Sequence, residues 1–449
     1  MTIDRASPDD MMTLASERGA AVPMHLGVLL ELDAEAAPKA SAVLAELSRR
    51  CAAVPRLRQR LVTTPLGCGR PVWLDDPGFT PAHHLDVLVL APVAPDAVLA
   101  ALAALVLERL PRGRPLWSAR VLADPMGNAV AVAMVLHHAL ADGIGGLSVL
   151  TALLDGETAS AQDGTDVHLG PQRGQRVDRR RPAPTARALA ADAWSARARA
   201  MARLPAGLTR LRWGATELGA TSPRWLQPTS LLVPTGPRRR IDVVDVSLAA
   251  VAETGRAEGA TVNEEVLVAV SGALSRFLAS RGESLDRLVV SVPVSGRRPG
   301  REAELGNAVG VLPVAIPLAG DRRARLAAVQ AQRTRLRATP ERGSSSRLLA
   351  PAFRALAALG LFQVFIRHQR LVHTFETNVR GPCGPLFLAG ARVRRVVPVA
   401  VNPGNVTVSF DVLSAAGRLV ISIVSDPDLV PDHEVLRAAL QDELTAGGR

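Results

Sequence analysis

Residues 134–146 read Met134-Val135-Leu136-His137-His138-Ala139-Leu140-Ala141-Asp142-Gly143-Ile144-Gly145-Gly146. The run before the histidines, residues 129–136, is short, apolar and bounded by turn residues, which predicts a buried strand. Consecutive side chains of a strand point to opposite faces. We therefore expect one histidine to face a solvent channel as a base while the other packs. A lone His-Asp pair is usually structural, but the whole string after a strand favours chemistry.

The spacing in this string argues against three other kinds of site. Adjacent histidines on a strand cannot easily share one ligand, and no third metal ligand lies nearby, so we expect no metal. The glycines after Asp142 lack the third glycine of a dinucleotide-binding fingerprint. Gly-x-Ser-x-Gly is absent from the sequence, which leaves no candidate nucleophile. A base without a nucleophile predicts direct transfer, in which a substrate hydroxyl loses its proton as its oxygen attacks an activated carbonyl.

The composition indicates a globular chain with a strongly basic surface. The length of 449 residues allows two or three domains, of which we predict two, and the 48% hydrophobic and 21% charged residues predict substantial cores. The net charge of +11 comes almost wholly from arginine, since Lys39 is the only lysine. Such a surface favours anionic membranes, phosphorylated cofactors or nucleic acid. Aromatic residues make up only 3%, and we exclude nucleic acid because the stacking side chains it needs are scarce.

The cysteines and the apolar runs bear on the compartment. Cys51, Cys68 and Cys383 are odd in number and widely spaced, which predicts a reducing cytoplasm rather than a disulfide framework. The first ten residues lack the order of a signal peptide. Proline and charged residues interrupt the runs 85–110 and 348–366 before they reach the roughly 20 apolar residues of a membrane span. We expect a soluble or peripheral protein.

Apolar runs and helical spacing divide the chain into three parts. Strands at 23–32 and 129–136, with helices at 40–51 and 95–110, predict an N-terminal subdomain over residues 1–155. Residues 156–240 predict a flexible Arg/Gly/Pro-rich linker and a crossover helix at 186–204. The arginines of that helix form a solvated face in the simpler interpretation and a membrane-facing one in the alternative.

The second half has a similar pattern of apolar runs and helical spacing, which predicts a C-terminal subdomain over residues 241–449. We predict its helices at 261–280 and 348–365, and its strands at 241–248, 288–294, 309–317, 393–401, 406–413 and 419–424. The fold class is therefore α/β (α+β) with two mixed-sheet subdomains. The active site should lie in the channel between them.

The histidine string resembles the His-His-x-x-x-Asp-Gly motif of the CoA-dependent acyltransferases. Further segments make the chain similar to the bacterial wax ester synthase/diacylglycerol acyltransferase family, from about residue 7 to residue 440. These segments begin at Ser7, Pro23, Arg56, Arg114, Val262, Gly306 and Thr377. The resemblance implies two subdomains like those of chloramphenicol acetyltransferase.

The resemblance also implies roles for individual residues. His138 would be the general base, with His137 and Gly143 in support and Asp142 mainly structural. Asn263 would bind substrate or meet the developing oxyanion, while a helix N-cap after Thr261 is an equally weighted alternative. Pro115 and Trp117 would shape the channel wall. Asn378 and Gly381 would form a tight loop near the cleft, with a simple turn as the alternative. Arg380, Glu264 and Ala415 differ from the residues usual in these motifs and bear on substrate preference.

The activity that the resemblance implies is acyl transfer from acyl-CoA, as co-substrate, to an alcohol. The acceptor would be diacylglycerol, giving triacylglycerol, with long-chain alcohols and wax esters as the second acceptor and product. An enzyme using a carrier-bound thioester and a non-catalytic lipid-binding member are the alternatives. Attachment to the inner face of the membrane or to lipid inclusions would run through residues 348–365 or the arginine-rich helix. Whether the chain forms a homodimer stays open.

Overall fold

The computed structural model describes residues 3–33, 37–155, 183–202, 226–295, 309–338, 353, 355–357, 359–401 and 403–446. These residues form two six-stranded mixed sheets, a two-stranded hairpin and the helices that cover them. The predicted mixed α/β fold with two sheet-containing halves is confirmed. The flexible linker expected between residue 156 and the helix at 186–204 lies almost wholly outside the described residues.

The strands and helices have the following bounds. The strands are β1 (His25–Leu32), β2 (Gln59–Val62), β3 (Val72–Asp75), β4 (Leu85–Val89), β5 (Trp117–Ala123), β6 (Ala129–His137), β7 (Arg240–Ser247), β8 (Arg287–Ser295), β9 (Val309–Pro317), β10 (Thr374–Arg380), β11 (Phe387–Leu388), β12 (Ala391–Ala400), β13 (Val408–Ala415) and β14 (Arg418–Ser425). The helices are α1 (Pro8–Ser16), α2 (Ala40–Ala53), α3 (Pro95–Leu107), α4 (Gly143–Leu153), α5 (Ala186–Ala202), α6 (Leu248–Ala257), α7 (Val262–Ser280), α8 (Arg322–Ala338), α9 (Phe362–Arg367) and α10 (His433–Ala446).

The first sheet has the strand order β11-β12-β1-β6-β5-β4, and the second has the order β7-β14-β13-β10-β8-β9. The first two strands of the first sheet, β11 and β12, come from the predicted C-terminal subdomain. The strand β12 pairs antiparallel with β1, and β11 pairs with β12. The C-terminal segment thus crosses into the first sheet and ties the two halves together.

The strand β6 is apolar along its whole length because both of its faces are buried. Val132, Met134 and Leu136 join one hydrophobic core, while Ala131 and Val135 join the core that includes α3. Burial on both faces produces a continuous apolar run instead of an alternating one. His137 ends the strand on the α3 face, because side chains alternate along a strand.

The helix α3 lies unusually close to the central strand β1. A Cβ atom at Gly27 would lie 2.4 Å from Cγ1 of Val106, so only glycine allows this approach. The ring Nδ1 of His25 lies 2.9 Å from the carbonyl oxygen of Val106, so the end of α3 is held against the start of β1.

The second half buries its core between its sheet and the helices α7 and α10. Phe277, Phe410, Ile421 and Leu440 are fully buried in this core. The helix α7 starts at a capping box in which the side chains of Thr261 and Glu264 bind each other's backbone N–H groups. Ion pairs then join Glu264 and Glu265 to Arg333 and Arg322 of α8.

The helix predicted over residues 348–365 is not continuous. Residues 348–352 lie outside the described part of the chain, and residues 359–360 form a turn in which Gly360 has φ of 73°. A positive φ suits glycine and ends a helix. The described helix α9 therefore starts only at Phe362. None of the helices in the described ranges is long and apolar enough to cross a bilayer.

Candidate active site

The two histidines lie where β6 ends beside the start of β1. His25 and His137 are directly paired across the two strands, and their rings meet edge to face at 5.6 Å. The backbone N–H of His137 donates to the carbonyl of Leu116, and that of His138 donates to the carbonyl of Met24. Neighbouring strands thus hold the backbone of both histidines.

The ring of His137 is buried, at 3% exposure, and both of its nitrogens are engaged. Its Nδ1 accepts a hydrogen bond of 3.0 Å from the N–H of Ala139. This acceptor role assigns the ring proton to Nε2, which lies 3.4 Å from Oε2 of Glu17. A ring held at both nitrogens supports the site and is not available to take a proton from substrate.

Glu17, one residue beyond α1, is a part of the site that the sequence analysis does not find. Its carboxylate also binds the guanidinium of Arg112 and accepts a hydrogen bond from the N–H of Met24. Burial opposes ionisation, but His137, Arg112 and this hydrogen bond together lower the pKa of Glu17 to about 2. Glu17 belongs to no recognisable sequence motif, and its place beside His137 is evident only from the fold.

His138 is the histidine that can meet a substrate. In contrast to His137, it is partly exposed. The surrounding protein still excludes much of the water around the His138 ring. This burial lowers the pKa of His138 below the ordinary value of 6.5. Burial and the nearby His137 lower the pKa of His25 to about 4. A neutral imidazole at physiological pH is the form that a general base requires.

Asp142 and Gly143 join the histidine turn to α4 and to the second sheet. Asp142 is fully buried and caps α4, with its Oδ1 accepting a hydrogen bond of 2.9 Å from the N–H of Gly145. A Cβ atom at Gly143 would lie 3.3 Å from Cγ2 of Val379 in β10. The motif therefore lies at the place where the two halves meet.

Pro115 and Trp117 lie in the framework behind the histidines. Both are buried, and the Trp117 indole donates a hydrogen bond of 2.7 Å to the carbonyl of Leu57. The same indole stacks on the ring of His84 at 4.5 Å. The carbonyl of Leu116, between Pro115 and Trp117, accepts a hydrogen bond from the N–H of His137. Residues 115–117 therefore hold the end of β6 in position.

Asn378 lies inside β10 and Gly381 directly follows that strand, so the expectation that both form a tight loop is wrong for Asn378. Asn378 lies partly buried in β10 opposite Val412. Gly381 follows the strand and donates its N–H to the carbonyl of Ser414 at 2.7 Å. A Cβ atom there would lie 3.0 Å from that carbonyl oxygen, so the backbone packs tightly at this position.

Asn263 is the second residue of α7, because Thr261 is the N-cap. The alternative that Asn263 itself caps the helix is therefore wrong. Glu264, one of the residues that differ from the motif, is the partner of Thr261 in the capping box. The structure places Asn263 at the partly buried start of α7 in the second half. A role for Asn263 in binding substrate stays a prediction.

One group in the described ranges could offer ligands to a metal ion. Oxygen and nitrogen atoms of Asp242, His433 and Glu434 lie within 4.8 Å of one another. The guanidinium of Arg240 contacts Nε2 of the same histidine, and its positive charge opposes a cation there. Nδ1 of His433 lies 3.0 Å from Oδ1 of Asp242, so two members of the group already bind each other.

Two mixed sheets that meet beside a partly exposed histidine of a His-His-x-x-x-Asp-Gly string form the arrangement expected of an acyltransferase of that class. The chain belongs to the wax ester synthase/diacylglycerol acyltransferase family. Residues 6–266 match the catalytic domain of that family, and residues 305–446 match its C-terminal domain.

Known proteins resemble the chain over most of its length. A protein of Mycobacterium tuberculosis with the name probable diacylglycerol O-acyltransferase is 31% identical over 433 residues, covering 94% of this chain and 90% of the relative. The solved wax ester synthase/diacylglycerol acyltransferase of Marinobacter aquaeolei has a TM-score of 0.67 at 20% identity, covering 99% of this chain and 100% of that chain. The first condensation domain of the calcium-dependent antibiotic synthetase shares the fold, with a TM-score of 0.62 at 16% identity over 100% of this chain and 96% of the other.

Proposed function

We propose that this enzyme transfers an acyl group from acyl-CoA to the hydroxyl of diacylglycerol, giving triacylglycerol and CoA. Long-chain alcohols are a second class of acceptor and give wax esters. The family membership and the names of the mycobacterial relatives support this substrate class. The observation that carries the mechanism is the contrast between His137, held at both nitrogens, and the partly exposed His138.

In the proposed reaction His138 is the general base. Its imidazole takes the hydroxyl proton while the acceptor oxygen attacks the thioester carbonyl. The tetrahedral intermediate then expels the CoA thiolate, which takes that proton from the imidazolium. The carbon–sulfur bond breaks, the ester bond forms, and no acyl-enzyme is needed.

The remaining residues hold this base in place. Glu17 and Ala139 fix the ring of His137, and the carbonyl of Met24 fixes the backbone of His138. Asp142 caps α4 and closes the turn after the histidines. Asn263 and Asn378 are the proposed polar contacts to substrate from the second half, and Pro115, Trp117 and Gly381 maintain the walls.

The test compares His138→Ala with His83→Ala, which alters an exposed histidine in the turn before β4. Labelled palmitoyl-CoA is supplied with diolein or hexadecanol, and triacylglycerol, wax ester and free CoA are measured. His138→Ala should lose on the order of 100-fold or more in turnover, since general-base catalysis contributes about 10²–10⁴-fold. His83→Ala should retain turnover. Wild-type activity only with a carrier-bound acyl donor, or undiminished turnover by His138→Ala, would contradict the proposal.

The physical setting we propose is the cytoplasmic side of a membrane or a lipid inclusion. Diacylglycerol and its product are insoluble in water, whereas acyl-CoA carries phosphates that suit the arginine-rich surface. Peripheral attachment lets one site reach both substrates.

A further inference from the structure

The residues from Leu359 to Arg370 form an exposed surface that combines apolar and basic side chains. Leu359 is 71% exposed, Leu361 48% and Val364 62%. Arg367, His368 and Arg370 are exposed on the same short segment. We call these six residues the 359–370 surface. The sequence from residue 342 to residue 375 contains no aspartate or glutamate, so the local charge is positive.

Packed aromatic rings lie behind this surface. The rings of Phe353, Phe362 and Phe365 contact one another, with centroids 5.3 to 6.4 Å apart. The carbonyl of Ile366 packs so closely on the next loop that only glycine fits at position 404. The exposed apolar side chains are therefore presented on a fixed backing.

The 359–370 surface adjoins the histidine site. The side-chain amide of Gln363 donates a hydrogen bond to the carbonyl of Ser16. Ser16 ends α1, and the next residue is Glu17, which binds His137. A lipid surface in contact with α9 would thus lie against the segment that holds the catalytic histidine pair.

We propose that the 359–370 surface docks the enzyme on a bilayer leaflet that contains anionic phospholipid. The inference rests on the proposed function, because the acceptor of that reaction lies in a bilayer. The apolar side chains would insert at the level of the headgroups, and the arginines would meet lipid phosphates. Charge complementarity selects this occupant, since exposed apolar residues without acids suit an anionic lipid surface.

A second exposed surface supplies the competing hypothesis. Trp194 and Met201 of α5 are 66% and 67% exposed and lie two turns apart on one face. Arg197 stacks on Trp194 and donates to the carbonyl of Gly67. The opposite side of α5 is held near the start of α1, because Asp192 binds Arg5, which precedes α1. Variants of Trp194 and Met201 therefore form the rival arm of the test.

Sedimentation with vesicles tests the docking surface. Vesicles of phosphatidylcholine alone, or with about 30% phosphatidylglycerol, are compared. Leu361→Asp/Val364→Asp should bind the mixed vesicles at least about tenfold more weakly than wild type. Arg367→Glu/Arg370→Glu should lose about fivefold or more per residue on these vesicles, and less on neutral ones. The matched control is Met126→Asp, which alters a side chain 78% exposed in the turn before β6 and should bind as wild type does. Thermal unfolding confirms that each variant is folded.

Unchanged binding by both 359–370 variants would overturn the proposal. So would loss of binding in Trp194→Asp/Met201→Asp without loss in Leu361→Asp/Val364→Asp. Binding only to another protein, with no affinity for vesicles in the wild type, would also reject it.

Two acceptors separate this inference from the proposed function. Transfer from acyl-CoA to hexanol in solution should be retained in Leu361→Asp/Val364→Asp, while transfer to diolein in mixed vesicles should fall with binding. Wild-type enzyme that binds vesicles but acylates neither acceptor would reject the function and keep the docking surface. Full transfer to vesicle diolein by both variants would reject the docking surface and keep the function.

Discussion

The carboxylate of Glu17 lies 3.4 Å from Nε2 of His137, although 120 residues separate them in the chain. The other ring nitrogen accepts from Ala139, so the imidazole has one tautomer and one orientation. Because His138 follows directly, the ion-pair environment at Glu17 sets the geometry of the neighbouring base.

Glu17→Gln should therefore impair turnover through position. The amide keeps the size of the side chain but removes the charge that binds both His137 and Arg112. We expect kcat to fall by about 10- to 100-fold, the range of a charge-assisted hydrogen bond of about 1.5–3 kcal/mol, with KM for acyl-CoA nearly unchanged. Steady-state kinetics with both acceptors provide the measurement. The control is Glu108→Gln, which alters a surface partner of Arg120, and equal loss in both variants would argue against a positioning role.

The pH dependence of kcat/KM should report the lowered pKa of His138. Burial favours its neutral form, so the base should stay active as the pH falls to the ordinary histidine pKa of 6.5 and lose activity only below it. Glu17, whose pKa is about 2, stays ionised over the same range. A profile measured from about pH 4.5 to 8 should be flat on the neutral side, with its acidic midpoint below that of free histidine. A midpoint at or above 6.5 would contradict this assignment.

Gly27→Ala should destabilise the first half. The added methyl group would lie 2.4 Å from Val106 Cγ1 in a buried core, and α3 would have to shift. Overpacking of this kind costs about 1–3 kcal/mol of unfolding free energy. Gly113→Ala is the matched control, because no atom lies within 4 Å of its added Cβ. Urea denaturation should separate the two variants, and equal unfolding midpoints would show that the core adapts.

The sequence predicts those elements whose signals are local. Residues 309–317 form a strand with the predicted bounds, and Pro95 begins a helix as its fixed φ favours. The histidine string also falls where predicted, at the end of a buried strand. These features depend on periodicity and on caps within a few residues.

The features that the sequence does not reveal depend on contacts between distant segments. The pairing of β12 with β1 joins residues more than 350 positions apart, and its apolar pattern would fit either sheet equally well. Glu17 is identifiable only once α1 lies beside β6. The turn at Gly360 divides an apolar run whose spacing alone continues a helix.

A buried acid in β10 supplies a last prediction, on stability. Glu376 is fully buried, and neither carboxyl oxygen has a hydrogen-bond partner among the described residues. Burial, and then the negative charge of Asp411, raise its pKa from 4.5 to about 8, although the side chain of Asn378 favours ionisation. The native state therefore keeps this proton at neutral pH.

The sign of the effect follows from where the proton is lost first. Between pH 4.5 and about pH 8 the unfolded chain releases the proton of Glu376 while the native chain retains it. The native state then binds more protons, so the free energy of unfolding decreases as the pH rises. Glu376→Gln removes this contribution. The variant should be more stable than wild type by several kcal/mol at the upper end of the window and nearly equal to it at the lower end. Urea unfolding at both ends measures the difference, with Glu108→Gln as the exposed control, whose effect should not grow with pH. A stability difference for Glu376→Gln that is the same at both ends would show that the native carboxyl is ionised throughout, and hence that β10 admits water or a cationic partner at this position.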